Sequence, residues 1–112
     1  MSRPLGKQIL ADLYGCHPQA LDRRVFLEHH LIGAAKACGA HILGWWSVEV
    51  CDGVSAWVTL EESHICIHTW PGQGQAFVDV FTCGDLDPML AWEYLRCKLG
   101  PQRVECRKIE RG

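Results

Sequence analysis

At 112 residues the chain holds enough material for one domain built on a single core. Its net charge of −2 supplies no basic field for nucleic acid or for an acidic membrane surface, and no apolar run approaches the ~20 residues that span a bilayer. The start, MSRPLGKQIL, lacks the apolar core and small-residue cleavage site of a signal peptide, so a cytoplasmic location is expected.

In chain order, residues 7–15 (KQILADLYG) alternate enough to predict a strand. Pro18 opens a long helical pattern in which Leu21, Val25, Leu31, Ala35 and Cys38 share a face, and Gly39 stops it. From His41 the texture is that of strands: HILGWWSVEV, then VSAWVTLEE. Asp52-Gly53 between them predicts a tight hairpin turn with positive φ. HICIHTW is the next strand, closed by the turn Pro71-Gly72-Gln73-Gly74, and QAFVDVFTC follows. Asp87 as N-cap and Pro88 in the first turn start a second helix through about Leu99, and RVECRKIE closes the chain as a strand. The order β-α-β-β-β-β-α-β predicts an α+β two-layer sandwich: a mainly antiparallel sheet with two helices on one face. Its uncovered face is available to a dimer.

Seven cysteines (Cys16, Cys38, Cys51, Cys66, Cys83, Cys97 and Cys106) are odd in number and form no CxxC pair. Neither a disulfide framework nor a zinc ribbon fits. Most are expected to act as small buried hydrophobes, with Cys38 and Cys97 on buried helix faces.

The stretch EESHICIHTW, residues 61–70, concentrates two acids, a hydroxyl, a thiol and two imidazoles. Strand alternation sends Ile65 and Ile67 one way and His64, Cys66 and His68 the other. The plain reading is a core face beside a solvated face. A metal held by His64, Cys66 and His68 is disfavoured, because same-face neighbours on one strand stand ~7 Å apart and three in a row do not converge on one ion. No metal is expected. A serine hydrolase is disfavoured too, since Ser63 and His68 are five residues apart with no GxSxG elbow.

EESHICIHTWP closely resembles the ESHLTIHTWP signature of the small bacterial and archaeal S-adenosylmethionine decarboxylases. The resemblance extends to Leu5-Gly6, Tyr14-x-Cys16, Gly53-Val54-Ser55, Asp79-x-Phe81-Thr82-Cys83-Gly84 and Asp87-Pro88, and so covers essentially the whole chain. It implies a proenzyme that cuts itself between Glu62 and Ser63 into a β chain, residues 1–62, and an α chain, residues 63–112. Ser63 attacks the preceding carbonyl, the amide becomes an ester, and elimination expels the Glu62 carboxylate. The dehydroalanine left behind hydrolyses to a pyruvoyl group, the cofactor, with no metal or pyridoxal phosphate. That ketone forms a Schiff base with the substrate amine and acts as the electron sink as CO₂ leaves. The resemblance also implies that Ser55 and His68 assist processing, with His68 as the base, that Cys83 is the proton donor, and that the pocket lies between the protomers of a homodimer. Imidazole suits the base role near pH 7.

The substrate-binding positions depart from the family. Glu49 stands where an aromatic residue stacks on adenine, Gly72 replaces the acid expected at the ribose, and Ser47 and Cys51 replace His and Pro. Lost stacking forfeits roughly 1 kcal/mol, unless Trp45, Trp46 or Trp57 supplies it. A carboxylate at position 49 instead suits a distal cation, with Asp52 shaping the turn. The favoured expectation is a polyamine-biosynthesis decarboxylase acting on L-arginine or L-ornithine. The alternative is S-adenosylmethionine, giving the aminopropyl donor for spermidine. A remote third is a non-enzymatic metal-binding or redox module.

Overall fold

The computed structural model of the protein describes residues 4–112, so the first three residues of the MSRPLGKQIL start lie outside the described residues. The chain runs β1 (Gly6–Tyr14), α1 (Pro18–Leu21), α2 (Arg24–Ala37), β2 (Ile42–Val50), β3 (Gly53–Leu60), β4 (Ser63–Trp70), β5 (Gln75–Cys83), α3 (Pro88–Leu99) and β6 (Arg103–Arg111), with a single 3₁₀ turn at Pro71–Gln73. Among the described residues the strands form one sheet, ordered β2-β3-β4-β5-β1-β6, and each neighbouring pair is antiparallel. α2 and α3 lie against one face, giving the expected two-layer α+β sandwich.

Period-two alternation builds the core. Ile9, Ala11 and Leu13 on β1, Val54, Ala56 and Val58 on β3, Ile65 and Ile67 on β4, and Val78 and Val80 on β5 are buried toward the helices. Leu27, Leu31, Ala34 and Ala35 of α2 and Ala91, Trp92, Leu95 and Leu99 of α3 close over them. Deleting any of the larger side chains would cost about 2–5 kcal/mol in lost transfer energy and residual cavity. Asp87 caps α3 by accepting from the Met89 N–H at 3.0 Å, with Pro88 in its first turn, as the sequence predicts.

Three local expectations are corrected. The helical pattern from Pro18 breaks after Leu21, because Arg23 takes an extended conformation and starts α2 in a new phase. Val25 therefore points out, 57% exposed, and Leu27 takes the core position instead. Cys97 lies on the exposed side of α3, whereas Cys38 is buried as expected. At the β2–β3 hairpin the positive φ falls on Cys51 (54°), and the turn residues are Cys51 and Asp52. Gly53 is required there for space, since a Cβ at that position would collide with the Thr69 carbonyl oxygen.

Thr69 stitches this hairpin to α1. Its hydroxyl donates to the Leu21 carbonyl at 2.8 Å and accepts from the Val54 N–H at 3.0 Å, so a buried polar side chain is fully engaged. The link fixes the end of β4 against β3, where part of the candidate site lies.

Candidate active site

The β3–β4 hairpin turns on Glu61 and Glu62, with Leu60 opposite Ser63. Glu62 has φ 59°, a left-handed conformation that a non-glycine residue adopts at a cost of order 1 kcal/mol or more. Ser63 follows it as the first residue of β4 and is buried. Its Oγ accepts from the Cys83 N–H at 3.0 Å, and the Cys83 Sγ donates to the Glu62 carbonyl oxygen at 3.0 Å. The end of β5 therefore grips both sides of the Glu62–Ser63 peptide. A hydroxyl is fixed after that peptide, and a thiol donor polarises its carbonyl.

Ser55 and His68 meet at the other end of β4. Counting back from the turn places Ser55 opposite His68 in the register, and their Oγ and Nδ1 atoms are hydrogen-bonded at 2.7 Å. Five residues separate Ser63 from His68, roughly 17 Å at about 3.3 Å per strand residue. Within one chain, then, the predicted residues form two pairs rather than one cluster: Ser63 with Cys83, and Ser55 with His68.

The second pair borders a cleft of about 500 Å³, lined by the β2–β3 turn, the end of β4 and the following 3₁₀ turn. This is the size of a small-molecule site. Sequence reasoning did not assign two of its lining residues to it. Trp70 is 42% exposed and tilts against Phe77 with ring centroids 4.8 Å apart. Asp52 brings a carboxylate to the rim, and Gly72 lines the same cleft. The signal was present in both cases, since Trp70 and Asp52 flank paired strand ends on either side of Ser55 and His68.

Glu49 is absent from that cleft. It pairs with Val54, which is buried on the helix-facing side, whereas Ser55 and His68 point to the uncovered side. Ser47, two residues earlier on the same side of β2, donates to Glu28 of α2. Alternation therefore turns the Glu49 carboxylate to the face of the sheet opposite the cleft. Trp45, Trp46 and Trp57 do not line the cleft either.

The other polar side chains of EESHICIHTW separate as well. His64 stacks on Trp57, with centroids 4.7 Å apart and planes at 23°, and its Nε2 lies 3.3 Å from Asp79 Oδ2. Cys66 is buried beside them, and burial first, then the Asp79 charge, push its thiol up to about 12.

Known proteins resemble this chain in sequence and in fold. The S-adenosylmethionine decarboxylase family profile matches residues 7–112. S-adenosylmethionine decarboxylase proenzyme 2 of Bacillus anthracis is 43% identical over 109 residues, covering 96% of this chain and 89% of the relative. The proenzyme of Methanococcus vannielii is 43% identical over 112 residues, covering 98% and 92%. The crystal structure of the adenosylmethionine decarboxylase of Aquifex aeolicus VF5 superposes with a TM-score of 0.93 at 36% identity, covering 99% of this chain and 93% of that one.

The chain is a pyruvoyl-dependent carboxy-lyase, whose cofactor is formed from a serine of the chain without metal or pyridoxal phosphate. It belongs to the S-adenosylmethionine decarboxylase family. The non-enzymatic module considered from the cysteines and histidines is thereby set aside as the protein's main role.

Proposed function

We propose that the chain cuts itself between Glu62 and Ser63 and then decarboxylates S-adenosylmethionine, supplying the aminopropyl donor for spermidine. One observation carries this substrate over L-arginine or L-ornithine. The case for a basic amino acid rested on Glu49, and Glu49 lies across the sheet from the cleft that Ser55 and His68 border. The names of the relatives point the same way. In the cleft, Trp70 offers a ring face for adenine, and Asp52 offers the carboxylate for ribose hydroxyls that position 72 lacks.

In processing, Ser63 Oγ attacks the Glu62 carbonyl carbon, which the Cys83 thiol makes more electrophilic by donating to its oxygen. The amide becomes an ester, and loss of the α-proton of residue 63 expels the Glu62 carboxylate. Chains 1–62 and 63–112 result, and the left-handed strain at Glu62 is released. The pyruvoyl group so generated supplies an electron sink for decarboxylation. Cys83, beside residue 63, is the proton donor to the substrate carbon. His68, oriented by Ser55, is the base that takes the α-proton in processing.

A base roughly 17 Å along the strand cannot reach that proton. The proposal therefore includes a homodimer in which the second copy's Ser55 and His68 face residue 63. The uncovered sheet face supports it, since Trp46, Val48, Val50 and Phe77 are exposed there, each large and apolar. Two such faces stacked with their β4 strands running oppositely set one end of β4 against the other. A reducing cytoplasm suits seven cysteines that are all free among the described residues. No helix among those residues is long and apolar enough to cross a membrane.

The test is release of labelled CO₂ from carboxyl-labelled S-adenosylmethionine, L-arginine and L-ornithine, assayed side by side on protein whose mass shows the cut. S-adenosylmethionine should have the highest kcat/KM. A higher value for either basic amino acid would overturn the substrate assignment.

A further inference from the structure

His64, Cys66 and Asp79 offer an imidazole nitrogen, a thiol sulfur and a carboxylate oxygen, and these three atoms all lie within 4.8 Å of one another. We propose that they form a zinc site on the helix-free face of the sheet, the face that stacks on the second copy in the proposed dimer, using none of the side chains assigned to processing and decarboxylation. His68, the third ligand considered from sequence alone, is replaced by Asp79 of the neighbouring strand. Cys66 and Asp79 are paired across β4 and β5, and His64 is two residues from Cys66 on the same face. Cross-strand convergence thus supplies what three positions on one strand could not.

The donor set selects the ion. Thiolate and imidazole favour a borderline-soft cation over Mg²⁺ or Ca²⁺, and Zn²⁺ accepts sulfur, nitrogen and oxygen together in a tetrahedron. With Zn–N and Zn–O near 2.0 Å and Zn–S near 2.3 Å, the donors of such a site stand about 3.3–3.5 Å apart. His64 Nε2 and Asp79 Oδ2 already stand 3.3 Å apart, and a rotation of the Cys66 side chain closes the remainder. On binding, the thiol gives up its proton to solvent and the sulfur takes the metal in its place.

The surroundings fix the ligands as a metal site requires. Gln8 Nε2 donates to Asp79 Oδ1 at 2.8 Å, which leaves Oδ2 free to turn toward His64. Gln8 is itself held by Arg111, whose Nη1 donates to its Oε1 at 3.3 Å. Trp57 and Phe81 flank the imidazole ring, with centroids 4.7 and 5.7 Å away. All three ligands lie within residues 63–112, so the site forms in cut and uncut protein alike. Bound zinc would clamp β4 to β5 immediately after the cleavage point. This assignment does not depend on the decarboxylase substrate.

Chelator-competition titration of the purified chain with Zn²⁺, repeated with Co²⁺ as a spectroscopic probe, tests it. One tight ion per chain is expected, with a thiolate-to-cobalt charge-transfer band and a Tm that rises with added zinc. Cys66→Ser should abolish the band and weaken zinc by about 100-fold or more, Gln8→Ala by about 10-fold, and His68→Ala should keep the tight site. A wild-type chain without the band overturns the proposal whatever the variants do. So does zinc affinity that Cys66→Ser leaves unchanged, which would trace binding to Cys51, Cys97 or Cys106.

Discussion

On the proposed mechanism, the two ends of β4 carry different halves of one chemistry. At its start, a strained turn, a buried hydroxyl and the Cys83 backbone and thiol converge on the Glu62–Ser63 peptide. At its end, a serine and a histidine are aligned beside an open cleft, with no scissile bond in reach. The first end has an electrophile and a nucleophile but no base. The second has a base and a place for substrate but nothing to act on. Each is well ordered by its own strand pairings, so neither is a displaced fragment of the other. The lesson is that candidate catalytic side chains gathered in one chain need not make one site.

Changes at the first end should have the largest effect. Ser63→Ala removes the hydroxyl that follows the Glu62 carbonyl, so mass spectrometry should find one unbroken chain and no decarboxylation. Cys83→Ala in cut protein should lower turnover by about 10²–10⁴-fold, the usual contribution of a positioned acid, as read by CO₂ release. Glu49→Gln sharpens the contrast from the other direction. On the helix-facing side of β2 it belongs to neither half, and kcat/KM for S-adenosylmethionine should stay within about twofold, the range of surface substitutions. A large loss would return that carboxylate to the substrate.

The smallest effect lies away from both ends. Burial first, then Lys98 and His29, hold the His30 imidazole below its ordinary 6.5. As pH falls through that value the unfolded chain takes up a proton that the folded chain resists, so stability should decline toward acid. His30→Gln should flatten that slope in urea midpoints measured between about pH 7.5 and pH 5, without altering either half-site.

Much of this was legible in the sequence because antiparallel pairing is set by its turns. The Ser55–His68 pairing was less so: the predicted third strand runs through Glu62, whereas the turn falls on Glu61 and Glu62, which sets Leu60 against Ser63 and Ser55 against His68. Once Pro71–Gly74 is a turn, Trp70 faces Gln75 and Cys66 faces Asp79. The alternation of Ile65 and Ile67 and the Asp87-Pro88 start of α3 were equally local signals. Less local features escaped. The phase break at Arg23 depends on one residue's backbone, which no periodicity records, and it turned Val25 out of the core. The resemblance gives Glu49 its family position, while its direction follows from pairing with Val54. The strain at Glu62 is a backbone property with no side-chain signature.

The claim that two chains complete one site is tested most directly by co-expressing Ser63→Ala with His68→Ala. Neither variant alone should be cut or active. In a mixed dimer the His68→Ala copy presents an intact Ser63 and Cys83 to the intact Ser55 and His68 of the Ser63→Ala copy. The account predicts that this copy is cut and that about one active site per mixed dimer appears. Mixed dimers that form but remain uncut and inactive would contradict it.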